Sequence, residues 1–289
     1  MKTRWLLVTA GFSDTLESAA YRLESQALQF QLFDTLVVTR KNLVQICPDF
    51  VENFKEYLYD NSPGYGFFAW KPAIISAVLN SRKQNYAGIV WVDAGCEMFF
   101  SNLTRIRLSK YLKIASNSGF WGFSLNTPES QYTKSDTFHF FKNISATDVS
   151  PQIQATWFIL QGAMGQTIAT NWESVALRDI KVLDQSISSN GEIEGFIQHR
   201  SDQSILSLTI KSLGLLPSSY IPRSGVNGYR SLFAALTHPI WTSRNRTTKS
   251  VVPEFFRKIS HISTWVLKIS ESFKRTNKCK YRSISVTEI

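Results

Sequence analysis

The first 40 residues constrain the fold most, because they alternate strand, helix and strand patterns. The apolar run over residues 4–10 breaks at Gly11, and a second apolar run covers residues 32–39. Between these runs, Asp14 is expected to cap a helix whose apolar side chains recur at three- and four-residue intervals. A strand–helix–strand unit this short implies parallel strands joined by a right-handed crossover. The sequence therefore predicts an α/β fold with a mostly parallel twisted sheet flanked by helices.

A third strand, predicted over residues 88–92, ends in a loop that carries carboxylates. The loop reads Asp93-Ala94-Gly95-Cys96-Glu97. Ligands of open α/β sheets bind at the carboxyl ends of the strands, and carboxylates there can hold a divalent cation against a diphosphate. By the same logic a nucleotide base or ribose could rest against the bare backbone of Gly11. On these residues alone, an ordinary strand-to-loop turn with an aspartate cap remains an equal alternative.

Lys71 precedes Pro72, which is well placed as the first residue of a helix. A lysine at a helix N-terminus is unfavourable for the helix dipole, but free amides there attract anions, so Lys71 suits a phosphate. The alternative is a solvated lysine beside aromatic residues that simply pack.

A later helix is predicted over residues 199–213, with Gly214 at its end. Taken alone, Asp202 would stabilise the dipole in its first turn, and His199 would hydrogen-bond to backbone. Residues 126–150 are polar and irregular, and they could line a cleft for an acceptor because binding residues favour loops on a rigid frame.

Three segments together add a family resemblance. Residues 64–72 read G-Y-G-x-x-x-W-K-P, residues 91–96 contain D-A-G, and residues 199–204 begin H-R-x-D-Q. In this order they resemble GT-A-type glycosyltransferase-like proteins of polysaccharide and glycan biosynthesis, over roughly residues 4 to 215. The resemblance implies a GT-A-like fold and transfer of a sugar from a nucleotide-sugar donor to a glycan or lipid-linked acceptor.

The resemblance also implies roles for individual residues. Asp93 matches the first aspartate of a D-x-D element, which binds Mn²⁺ or Mg²⁺ against the donor diphosphate, while Gly95 stands where the second aspartate is expected. The remaining predicted metal ligands are Glu97 and His238. Asp202 and Gln203 match a pair near the reaction centre and are the predicted catalytic residues. The predicted donor-binding residues are Gly11, Trp70, Lys71, Asp93, Ala94, Gly95 and Arg200.

The basic charge of the chain is concentrated at its end. Of the net charge of +10, residues 244–289 carry +8, from 11 basic and 3 acidic residues, and residues 1–243 carry only +2. We therefore predict a catalytic domain over 1–243 and a tail over 244–289. Apolar residues at helical spacing within 253–275 predict a basic amphipathic helix, which could lie on an anionic membrane face or dock on the protein. A nucleic-acid partner is not expected, because the aromatic residues form an apolar stripe rather than a basic stacking face.

Composition narrows the remaining classes. Three cysteines, odd in number and widely spaced, argue against a disulfide framework or a zinc site. This cysteine usage makes a reducing, cytoplasmic compartment the expected location. No apolar run is long enough to span a bilayer, and the apolar run at the N-terminus is expected to be a first strand because it is too short for a signal peptide. Because Gly95 departs from the D-x-D pattern, a non-catalytic sugar-nucleotide or glycan-binding protein on the same fold is the alternative function.

Overall fold

The structure is a computed structural model that describes residues 4–82, 85–217 and 238–250. Its strands are β1 Trp5–Ala10, β2 Phe33–Val38, β3 Gly88–Val92, β4 Glu97–Met98, β5 Phe120–Trp121, β6 Ser124–Pro128, β7 Pro151–Ile153, β8 Trp157–Gln161 and β9 Ile240–Trp241. Its helices are α1 Asp14–Leu28, α2 Arg40–Ile46, α3 Pro48–Phe54, α4 Gly64–Phe67, α5 Trp70–Arg82, α6 Asn102–Ser118, α7 Glu129–Tyr132, α8 Ser135–Phe138, α9 Gly162–Ala176 and α10 Ser201–Ser212. Short 3₁₀ turns cover Lys55–Tyr57 and Ile180–Val182.

A five-stranded sheet in the order β2-β1-β3-β8-β5 forms the centre of the fold. β1 pairs in parallel with both β2 and β3, whereas β8 runs antiparallel to its neighbours β3 and β5. Four of these five strands therefore point the same way. The predicted α/β fold with a mostly parallel sheet flanked by helices is confirmed.

The central strands bury both faces, which explains why they read as continuous apolar runs. Leu6 and Val8 of β1 face one apolar cluster with α5, α9 and α10. Leu7 of β1 and Val90 of β3 face a second cluster with α1 and α6. Helices thus cover both sides, and the carboxyl ends of β1 and β3 meet at one edge of the sheet.

A small second sheet joins the end of the described chain to this edge. β4 pairs antiparallel with β9, with Glu97 opposite Trp241. Residues 244–250, which the sequence assigned to the tail, contact the α/β body through Asn245 and Thr247. The predicted amphipathic helix over 253–275 lies outside the described residues. Within the described ranges, no helix is long and apolar enough to cross a membrane.

Several predicted boundaries differ from the structure. Ser13, rather than Asp14, caps α1 by accepting a hydrogen bond from the backbone N–H of Leu16. The sequence over 152–161 predicts a single strand, but this stretch divides into β7 and β8, because the chain leaves one sheet after Ile153 and enters another at Trp157. The sequence over 119–125 also predicts one strand, and it divides into β5 and β6. Helix α10 begins at Ser201, two residues later than predicted.

Candidate functional site

Lys71, Asp93 and Asp202 meet at the carboxyl end of β3, although they belong to three separate sequence motifs. The Lys71 ammonium lies 2.8 Å from Asp202 Oδ2 and 3.1 Å from Asp93 Oδ1. The side chains of Lys71 and Asp202 are 5% and 7% exposed, whereas that of Asp93 is 35% exposed. We call these three residues the triad. Asp93 is the member through which the triad reaches solvent.

Asp93 is fixed by its place in the sheet. Its backbone N–H donates to the carbonyl of Thr156, just before β8. The indole N–H of Trp91 donates to the same Asp93 Oδ1 that contacts Lys71, at 2.8 Å. The carboxylate therefore has two protein donors on one oxygen, and its orientation is set by β3 itself.

Lys71 lies in the first turn of α5 and is held by aromatic rings as well as by carboxylates. Its ammonium is 5.6 Å from the ring centroid of Trp91, 5.8 Å from that of Phe68 and 5.9 Å from that of Trp70. It also donates a long hydrogen bond of 3.5 Å to the carbonyl of Ala155. Burial alone lowers the pKa of Lys71, but the charges of Asp202 and Asp93 raise it above its ordinary value, so the ammonium stays protonated.

An unusual left-handed turn delivers Lys71 to this position. All five residues over 64–68 have positive φ, including Tyr65 at 52° and Phe68 at 63°. Each non-glycine residue in this region costs about 1–2 kcal/mol. Ser62 Oγ accepts the N–H of Gly66 at 2.7 Å, and the Trp70 indole N–H donates to the carbonyl of Gly64 at 2.8 Å. The G-Y-G segment therefore shapes the backbone that places Lys71.

Asp202, the third member of the triad, lies in the first turn of α10. Ser201, directly before it, has a φ of 41°, a strained conformation for a residue other than glycine. The Trp172 indole N–H donates to the Asp202 backbone carbonyl at 3.0 Å, which fixes the turn. Burial raises the pKa of Asp202, and the charge of Lys71 opposes this. Asp202 is in the first turn, as expected for a carboxylate favoured by the helix dipole, but its side chain pairs with Lys71.

Gln203 and Arg200 form a supporting layer around Gln152. The Gln203 side-chain amide donates to Gln152 Oε1 at 2.7 Å, and its oxygen accepts the Ala155 N–H at 3.2 Å. Arg200 donates to the same Gln152 oxygen at 3.1 Å, and its guanidinium carbon lies over the Tyr132 ring, 3.6 Å from the ring centroid. Gln203 therefore positions the connection between β7 and β8, where the Ala155 carbonyl faces Lys71.

His199 has a structural position, as its helix-entry location suggested. Its Nδ1 accepts the backbone N–H of Lys134 at 3.3 Å, and its Nε2 lies 2.9 Å from the carbonyl of Val182. Burial, and then the nearby charge of Lys134, lower the pKa of His199 to about 4. The ring is therefore neutral at pH 7 and ties the start of α10 to two loops.

Three other predicted donor-binding residues lie beside the triad but are covered by protein. Trp70 is buried and packs edge-on against Phe12, with ring centroids 4.7 Å apart. Gly11 packs against the first turn of α1, where an added Cβ would lie 2.4 Å from the carbonyl of Leu16. Ala94 is buried, and its carbonyl accepts a hydrogen bond from Arg22 at 3.1 Å. Their contribution to donor binding stays a prediction.

The residues predicted to bind Mn²⁺ or Mg²⁺ do not converge. Glu97 is fully buried and accepts hydrogen bonds from Asn245 Nδ2 at 3.0 Å and from Ser250. His238 precedes β9. Burial of its ring, and then the charge of Arg107 in α6, lower the pKa of His238 to about 4. In the described part of the chain, no group of three His, Cys, Asp or Glu side chains could hold a metal ion. The donor set around Asp93 thus does not fit a divalent-metal site, and the metal stays a prediction from the resemblance.

Sequence reasoning missed Arg22, which organises the loop after β3. From α1 its guanidinium donates to the carbonyls of Ala94, Cys96, Asn245 and Thr247. One buried side chain therefore ties the Asp93 loop to the segment after β9. The only sequence signal was a charged residue beside Leu23 on the apolar face of α1, and that does not identify a carbonyl-binding arginine.

Comparisons with known proteins gave structural similarity only. No protein-family model and no curated protein sequence matches the chain. Among solved structures, the apo bifunctional glycosyltransferase WbbM superposes with a TM-score of 0.45 at 9% identity, over 83% of this chain and 45% of that one. This chain therefore spans less than half of WbbM. A glycosyltransferase involved in glycosylating the major capsid of PBCV-1 gives 0.45 at 7% identity, over 82% and 91%. Apo mouse xyloside xylosyltransferase 1 gives 0.39 at 11% identity, over 77% and 87%. At TM-scores below 0.5 these similarities carry no functional argument.

Proposed function

We propose that this protein is a glycosyltransferase that moves a sugar from a nucleotide-sugar donor to a glycan or lipid-linked acceptor. The observation that carries the proposal is the triad. Three motifs that resemble those of GT-A-type proteins, at Lys71, Asp93 and Asp202, are far apart in sequence and meet within one ion-paired cluster. The cluster lies at the carboxyl end of a central strand, where ligands of open α/β sheets bind.

The chemistry of glycosyl transfer assigns a role to each member. The bond between the anomeric carbon and the donor phosphate oxygen breaks, and the diphosphate leaves with the bonding electrons. The acceptor hydroxyl oxygen bonds to the anomeric carbon, and its proton passes to an oxygen of the departing diphosphate, which leaves as nucleoside diphosphate. Lys71 is a fixed cation that stabilises the departing diphosphate, and a preorganised charge in a water-poor site is effective for this purpose. Asp202 stabilises positive charge at the anomeric centre.

In this proposal Gln203 is a positioning residue that does not contact the substrate. Its side-chain amide hydrogen-bonds to Gln152 and to the Ala155 N–H, so it keeps the Ala155 carbonyl facing the Lys71 ammonium. Arg200, on the same Gln152, borders the irregular residues 126–150 through its contact with Thr127 at 3.2 Å. We place the acceptor cleft on that side.

The basic tail provides a route to membrane-bound acceptors. Its apolar stripe and basic residues within 253–275 suit an anionic membrane surface, where each Lys or Arg contributes about 1 kcal/mol. Flotation with liposomes containing anionic lipid compares the full chain with a chain ending before Pro253. Loss of flotation on truncation is the expected result, and equal flotation contradicts membrane binding by the tail.

A nucleotide-sugar screen tests the function itself. A ligand that binds only the folded state adds about 2.7 kcal/mol to the free energy of unfolding at 100 times its Kd. It therefore raises the melting temperature. We expect one donor to stabilise the wild type and to be turned over, with release of nucleoside diphosphate. Stabilisation without turnover would favour the non-catalytic binding protein, and the absence of any stabilising donor would reject both functions.

A further inference from the structure

The Lys71 ammonium lies between the two carboxylates that a donor-bound cation would use. It contacts Asp93 Oδ1 and Asp202 Oδ2, and the same Asp93 oxygen also accepts the Trp91 indole N–H. A metal ion requires several oxygen ligands with free lone pairs. Here a protein cation already bridges the two side chains.

The loop after Asp93 is closed by the segment that follows β9. The Gly95 carbonyl accepts the Asn245 N–H at 2.8 Å and the Ser243 hydroxyl at 3.2 Å. An added Cβ at Gly95 would lie 3.4 Å from Arg244 Cα, so the segment after β9 packs directly against the position where a second aspartate is expected. Glu97 is buried among Ser243, Asn245 and Ser250 on the same segment. The positions that would complete a metal site are therefore occupied by protein contacts.

Arg244 brings a second cation to this loop. Its Cα would lie 3.4 Å from a Cβ added at Gly95. Its φ is 54°, and its side chain is exposed. Within the described ranges, its guanidinium makes no hydrogen bond or ion pair. A strained backbone at a residue other than glycine often marks a functional constraint. At Arg244 this backbone places an exposed guanidinium beside the loop that carries Asp93. Guanidinium groups bind phosphate oxygens in a bidentate manner.

We propose that cations of the protein itself, Lys71 and Arg244, take the place of a divalent metal in binding the donor diphosphate. The inference rests on the proposed function. With both carboxylates ionised the triad carries a net charge of −1, so a diphosphate needs a further cation nearby, and Arg244 is positioned on the adjoining segment to supply it. Donor binding is then independent of Mn²⁺ and Mg²⁺.

Isothermal titration with nucleoside diphosphates tests this inference. UDP, GDP, CDP, ADP and dTDP are each titrated into the full chain, once with EDTA and once with MnCl₂. The variants are Arg244→Gln and, as a charge-matched control on the exposed face of α6, Lys110→Gln. Because Arg244 is exposed, its variant is expected to keep the wild-type melting temperature. This avoids the folding risk of replacing the buried Lys71.

We expect one nucleotide to bind with the same Kd, within about twofold, in EDTA and in MnCl₂. Arg244→Gln should weaken it about tenfold, as for a lost charge-assisted contact of about 1.4 kcal/mol, and Lys110→Gln should not. Binding at least tenfold tighter with Mn²⁺ would overturn the inference and leave the proposed function intact. If Arg244→Gln bound the nucleotide as tightly as the wild type, the inference that Arg244 binds the diphosphate would be wrong. No binding of any nucleotide in either buffer would overturn the proposed function as well.

Discussion

Replacing Lys71 by methionine tests the buried triad through stability. Removing one partner of a buried ion pair leaves an uncompensated charge and costs about 3–5 kcal/mol. The side chains of Lys71 and Asp202 are 5% and 7% exposed, so solvent screening does not reduce this cost much. At roughly 2 °C per kcal/mol in a domain of this size, we expect the melting temperature to fall by about 6–10 °C. The matched control is Lys55→Met, whose pair with Glu52 is exposed and contributes less than about 1 kcal/mol.

A double-mutant cycle separates the ion pair from lost packing. In Lys71→Met/Asp202→Asn the more buried of the two orphaned carboxylates is gone as well, and the remaining one, Asp93, is 35% exposed. The double variant should therefore be more stable than the sum of the single effects predicts, by about 0.5–3 kcal/mol. Urea unfolding of the four proteins gives the coupling energy. Additive effects, or a Lys71→Met shift as small as that of Lys55→Met, would refute the buried pair.

Three further predictions concern the surroundings of the triad. Arg22→Met leaves four carbonyls without their donor, and three of these hydrogen bonds are buried. Since each unsatisfied buried acceptor costs about 1–3 kcal/mol, the variant should lose at least about 3 kcal/mol in urea unfolding. Arg4→Met, which removes an exposed pair, should cost under about 1 kcal/mol, and equal losses would contradict the role of Arg22 in tying the Asp93 loop to the segment after β9. Gly95→Ala should stay within about 1 kcal/mol of wild type in thermal unfolding, because the added Cβ would meet Arg244 Cα at 3.4 Å, an ordinary van der Waals contact; a larger loss would contradict this packing of the loop. The pKa of His199 falls to about 4 in the folded state, so the unfolded chain binds an extra proton between that value and about 6.5, and stability is lost as pH falls through this window by up to about 1.4 kcal/mol per unit. The pKa of His238 also falls to about 4, so His238 contributes to the same pH window. His199→Gln should therefore lower the slope by about half in urea unfolding at a series of pH values, and parallel curves would reject the assignment.

The sheet was predictable from the sequence because its strands are buried on both faces. β1, β2 and β3 read as apolar runs within a residue or two of their observed ends, and their order along the chain requires parallel pairing. The motifs also indicated that Lys71, Asp93 and Asp202 belong to one site. Sequence could not show that Lys71 bridges both carboxylates, because ion pairing between distant residues leaves no periodic signal.

The contacts around the triad could not be predicted from the sequence, because they also join residues that only the folded chain brings together. Arg22 lies among apolar positions of α1, and only the folded chain brings four carbonyls to its guanidinium. The left-handed backbone over 64–68 was also unforeseen, since Tyr65 and Phe68 favour other conformations, and tertiary contacts such as the Trp70–Gly64 hydrogen bond override that preference. Glu97 looked like a metal ligand because of its spacing from Asp93, but its burial against Asn245 depends on a segment almost 150 positions later.

Whether the triad is a reaction centre can be measured by the release of nucleoside diphosphate from the donor found in the screen. Wild type and Asp202→Asn are compared at saturating donor, with acceptor glycans or water as the nucleophile, after both proteins are shown to bind the nucleoside diphosphate. We expect sugar transfer or hydrolysis by the wild type and a loss of about 10²-fold or more in Asp202→Asn, with nucleotide affinity retained. Equal rates in the two proteins would contradict the assignment of the triad as the reaction centre.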